Sequence, residues 1–238
     1  MEFYLGNTMN INMKQKTIKT IVLIALIATT SISSYAALGG LGNVTKTTKG
    51  GDSSPAISSA DAQKQADALT GKYSKACYNF LMSRAHAEDA CGNNEKSIEW
   101  KTKADNVLKE KDLEKIAQSV SEATKLDAKE ALKSADLNSD KAKESIKDSV
   151  KFFAFGTVQE GLIAKDISDL VKKVQSASPI EKAKILANIK PIIDLAQVIP
   201  TDVKNATNTL GSYYDFATTN GISVESMDDL KKDALTDF

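Results

Sequence analysis

The stretch from Ser139 to Gln175 constrains the fold more than any other, because it joins the longest helical period in the chain to a strongly apolar centre. Ile146, Val150, Phe153, Phe155, Val158, Leu162, Ile163, Ile167, Leu170, Val171 and Val174 recur at the short steps that keep one side of a helix buried. Residues 152–159, Phe-Phe-Ala-Phe-Gly-Thr-Val-Gln, hold no charge in a chain that is 26% Asp, Glu, Lys and Arg. Such a helix needs other apolar faces around it. It is therefore expected to be the long central helix of an all-α bundle of about six helices. Glu160, Lys165, Asp166 and Asp169 follow the uncharged centre, so the segment falls short of the roughly 20 apolar residues that span a bilayer. On this reading Glu160 begins a solvated face: Phe153→Asp should collapse the bundle and Glu160→Ala should change little. Gly156 and Gly161, about 140° apart around the helix, are expected to mark two separate close crossings.

The flanking sequence supplies the other faces. Ser58 precedes an acid at Asp61, as a helix N-cap does, and Ala62, Ala66, Leu69, Tyr73, Ala76, Cys77, Phe80 and Leu81 form one stripe that stops at Gly92-Asn93-Asn94. A second helix is expected from Glu95 to about Lys111. A third carries an alanine-rich stripe from Leu113 through Ile116, Val120, Ala128 and Ala131 to Ala135. Ser178-Pro179-Ile180-Glu181 is a capping box with proline at the first helical position, and Pro191 should split the helix that follows near residues 187–189. Pro200 is expected to open a further helix ending at Asn220-Gly221, and Ser223 to cap a short last one. No stretch sustains the alternation of a strand.

Ahead of this domain, residues 1–36 read as a signal peptide. A basic run from Met13 (Lys14, Lys16, Lys19), an apolar core at residues 21–28 and Ser34-Tyr35-Ala36 make the pattern of an export signal cleaved after Ala36. Residues 1–12 lack that logic and read as an upstream start extension. Residues 37–57, rich in Gly, Thr and Ser, are expected to be a flexible leader, leaving 58–238 as a single helical domain. Removing residues 1–36 takes away three lysines and one glutamate from a chain of zero formal net charge. The remainder, slightly acidic and with Arg84 as its one arginine, lacks the basic excess that nucleic-acid binding needs.

Chemistry-bearing residues are few. Cys77 and Cys91 are an even pair in an exported chain, which makes them a candidate disulfide. One unbroken helix would hold them about 21 Å apart, beyond the roughly 7 Å a disulfide allows. Either the helix breaks near residues 82–84, or the thiols stay free or pair between molecules. His86 is the only histidine, and the set Cys77, His86, Asp89 and Cys91 has no compact zinc-ligand spacing. The carboxylates fall in lysine-alternating runs that usually form solvated faces. No catalytic residue, metal site or cofactor is therefore expected. Two functions from different classes remain. The first is an exported, periplasmic or secreted, non-catalytic protein that binds a macromolecular partner in the bacterial envelope or outside the cell. The second is a carrier or sensor of an apolar ligand or lipid, held in a niche lined by Phe152, Phe155, Ile189 and Ile193.

Overall fold

Ser58 caps the first described helix as its sequence suggests, with its hydroxyl accepting the Asp61 N–H at 3.2 Å. A computed structural model describes residues 57–125 and 127–238, and among them are eight helices and no strand. The expected signal peptide, its cleavage site and the leader lie outside the described residues, apart from Ile57.

Helix α1 (Ser59–Ala90) runs unbroken to Cys91, and Gly92 then turns the chain with a φ of +74°. Helix α2 (Asn94–Val107) stops short of the expected Lys111. There the Glu110 carboxylate accepts the N–H groups of Lys111 and Asp112, both at 2.9 Å, and Asp112 in turn caps α3 (Leu113–Thr124). The third helix does not reach Ala135. The Asp127 side chain accepts the Glu130 N–H at 3.0 Å and begins a separate turn, α4 (Ala128–Ala131).

Helix α5 (Asp140–Gln175) is the central helix that the sequence predicts, capped by Ser139 on the Ala142 N–H. Helix α6 (Pro179–Asn188) carries the expected cap, with the Ser178 hydroxyl accepting from Glu181 N–H. Pro191 marks the break as predicted, but Pro200 opens nothing: it lies inside α7 (Lys190–Thr219). The reason is phase. Ile192, Ala196, Ile199, Val203, Ala206, Leu210, Tyr213 and Ala217 keep a strict three-four step across Pro200, and all are buried, so burial of one continuous stripe outweighs the lost backbone bond. After Gly221 (φ +69°), Ser226 rather than Ser223 caps α8 (Met227–Thr236) through the Asp229 N–H.

The centre of the bundle is an antiparallel pair, α1 against α5. Three cross-links set its register: Lys72 to Asp166 at 2.9 Å, Asn79 to Gln159 at 2.7 Å, and Ser83 to Ser149. Helix α7 packs along another side of α5, where the Phe153 ring stacks on Tyr213 at 5.2 Å and meets the edge of Phe80 at 5.1 Å. Gly156 is one of the close crossings expected of it, since a Cβ there would stand 2.9 Å from the Phe80 ring. Helices α2 and α3 cover α1, α8 covers α5, and α4 lies against α7. No helix among the described residues is long and apolar enough to cross a membrane.

Candidate functional site

Glu160 departs furthest from expectation. It sits seven residues from both Phe153 and Ile167, hence on the same face of α5, and is 0% exposed. Neither carboxylate oxygen has a hydrogen-bond partner in the protein, and it makes no ion pair among the described residues. Around it stand Tyr73 and Cys77 from α1 and Asp202 from α7. The Tyr73 hydroxyl and one Asp202 oxygen are likewise buried and unpartnered. Burial, and then the charge of Asp202, push the Glu160 carboxyl well above its ordinary range. Burial raises Asp202 to about 6. Tyr73 and Cys77 are raised by burial first and by the neighbouring acid next, so both keep their protons. The cluster thus concentrates acids and no base, and it has no exposed member to meet a substrate except the half-buried Asp202.

A second buried polar group lies toward the other end of the same helices. Arg84, 4% exposed, reaches Glu88 at 3.6 Å and lies under the Trp100 ring. The buried Tyr213 faces it from α7. The Ser83 hydroxyl donates to the Ser149 carbonyl at 2.8 Å, and the Ser149 hydroxyl donates back to the Ser83 carbonyl at 2.9 Å. Here the charges are balanced, which makes this group part of the architecture. His86 stacks on Phe152 at 5.2 Å, and burial lowers its pKa against the opposing pull of Asp148.

The residues singled out from sequence are dispersed. Because α1 is unbroken, Cys77 and Cys91 stay fourteen residues apart on one helix and both thiols are free. The candidate disulfide is not formed. Cys77 donates to the Ile116 carbonyl and Cys91 to the Ala131 carbonyl, so neither joins His86 and Asp89. No group of three or more His, Cys, Asp or Glu among the described residues is arranged to hold a metal ion. The apolar niche is not assembled either. Phe152 is taken up by His86, and Phe155, one turn on, packs under the Lys151 ammonium. Helix α7 runs antiparallel to α5, with Tyr213 opposite Phe153. Ile193 therefore lies twenty residues, or about 30 Å, from that level, and Ile189 lies further still.

An opening does exist elsewhere. Between the start of α3 and the start of α7 runs a surface groove of about 500 Å³. Its apolar lining is Leu113, Ala117, Pro191, Leu195 and Val198, and its rim carries Lys111, Asp112, Glu114, Lys190 and Asp194. Val198 is 44% exposed, one of few large apolar side chains left open. These features define an all-α bundle with a buried acid cluster and an apolar surface groove. Comparison with protein-family models, with curated proteins and with solved structures gave no match.

Proposed function

We propose that the chain is an exported, non-catalytic helical protein that acts by binding a macromolecular partner in the bacterial envelope or outside the cell. The observation that carries this reading is the α3–α7 groove, an apolar strip left open between two helices and bordered by charged side chains. Its shape and lining suit the apolar face of a partner's amphipathic helix. A rim bearing both signs of charge suits a helix with acids and lysines flanking that face. The export pattern read from residues 13–36 supports an encounter outside the cytoplasm. The apolar-ligand reading is weaker, because the four residues that would line its niche do not meet.

The test is a photo-crosslinking side chain installed at position 198 of the exported protein, with position 129 on α4 as control. The reading expects one protein adduct specific to position 198 and lost in a Leu195→Glu variant that still folds. Equal adducts at both positions would reject the groove. A lipid retained in the native mass of the purified protein would favour the carrier instead.

A further inference from the structure

We propose that Glu160 and Asp202 form a proton-controlled latch on α7: with both carboxyls neutral, α7 packs against α1 and α5, and loss of the two protons to solvent loosens it. The geometry supplies each part. Glu160 presents two buried oxygens without a partner, and Asp202 presents one from α7. The other titratable groups facing them are Tyr73 and Cys77 of α1, both protonated and unable to neutralise a second negative charge. The nearest lysines of α1 are turned outward. Lys72 is held by Asp166 at 2.9 Å and Lys75 by Asp237 at 3.3 Å. Two carboxylates ionised in this space would repel each other with little water to screen them.

The element that yields is α7. Helices α1 and α5 are bolted together by buried hydrogen bonds, Asn79 with Gln159 and Ser83 with Ser149. At the level of Asp202, α7 contributes the buried apolar side chains Ile199 and Val203, and Pro200, two residues ahead of Asp202, removes a backbone hydrogen bond there. The direction follows from proton linkage. A carboxyl whose folded pKa is raised binds more protons folded than unfolded. Its contribution is full below the unfolded pKa and is lost as pH rises through the folded one. For Asp202 that window runs from 3.8 to about 6; for Glu160 it starts at 4.5 and extends well above.

Hydrogen exchange of the whole chain, corrected for intrinsic rates, tests the latch between about pH 4.5 and about pH 8.5. The opening constant of α7 amides around Val203 to Leu210 should rise with pH, by up to about tenfold per unit for each proton released. Amides of α1 and α5 should keep their protection. The Glu160→Gln, Asp202→Asn double variant, neutral at every pH, should give a flat profile. If that variant does not fold, Asp202→Asn alone should still flatten the profile below about pH 6 by the share of one proton, about tenfold per unit at most, leaving the share that Glu160 carries. Parallel profiles in wild type and variant, a wild-type α7 insensitive to pH, or equal loosening of α1 and α5 would each overturn the proposal.

Discussion

Replacing Glu160 by methionine should stabilise this protein at neutral pH. The side chain is fully buried, its two oxygens lack partners, and burial pushes its carboxyl well above the ordinary range, toward the neutral form. A buried polar group without a hydrogen bond costs about 1–3 kcal/mol. Methionine keeps the length and most of the volume, adapts to irregular space, and leaves nothing polar behind. The expected gain is therefore about 1–3 kcal/mol, from replacing an unsatisfied group by an apolar one of similar shape. For a domain of this size, each kcal/mol moves Tm by about 2–4 °C, so the shift should be about +2 to +12 °C at pH 7. Urea unfolding followed by circular dichroism would measure it, with an unchanged m-value showing that the same surface is exposed. Alanine is a poorer probe, since it removes a methylene worth about 0.8 kcal/mol and opens a cavity. A loss of stability in Glu160→Met would refute the reasoning, for it would mean that the carboxyl makes a favourable interaction in the folded protein.

Phe153→Ala should cost about 3–5 kcal/mol, because the ring is fully buried between Phe80 and Tyr213; a loss below 1 kcal/mol in urea unfolding would place the core elsewhere. Gly156→Ala gains about 1 kcal/mol of helix propensity but drives a Cβ to 2.9 Å from a ring that is itself 0% exposed. Overpacking of about 1–3 kcal/mol should win, and a raised Tm would contradict the close crossing. In native protein a maleimide should label the partly exposed Cys91 and spare the buried Cys77, with both labelled in denaturant. Intact mass without reductant should show two free thiols per chain, and a mass two hydrogens lower would reject the unbroken α1.

The central helix was legible because its signals are local: a cap at Ser139, a long apolar period, and no competing turn before Gln175. The same holds for Ser178-Pro179 and for the turn at Gly221, whose positive φ glycine tolerates without strain. The failures came where a local cue competed with a longer pattern. Pro200 looked like a helix start, but the stripe from Ile192 to Ala217 passes through it without losing phase. The alanine stripe from Leu113 to Ala135 looked continuous, and the cap offered by Asp127 ended that continuity. The charge of Glu160 suggests a solvated position, but its spacing from Phe153 and Ile167 puts it on the buried face. Asp202 had no local signal at all, since its importance comes from a neighbour 42 positions earlier in the chain. The expected niche failed for a related reason. Apolar character selected Phe152, Phe155, Ile189 and Ile193, but the antiparallel return of α7 decides which of them share a level.

The buried polar groups divide by what they do for the fold. Asn79 with Gln159, and Ser83 with Ser149, are satisfied only in one register of α1 on α5. Sliding the pair by a turn would leave each group buried and unpaired, at about 1–3 kcal/mol apiece, so these residues select the native packing over its neighbours. Arg84 differs from them: Glu88 and the Trp100 ring offset its charge, while its Nε and Nη1 are buried without a hydrogen-bond partner. Glu160 selects nothing of the kind, because the native register leaves both of its oxygens without a partner. An apolar residue at that position would serve the bundle better. A carboxyl there, opposite a second carboxyl on the one long helix interrupted by proline, makes the packing of α7 depend on proton concentration, and this is the property that distinguishes the site from the rest of the core.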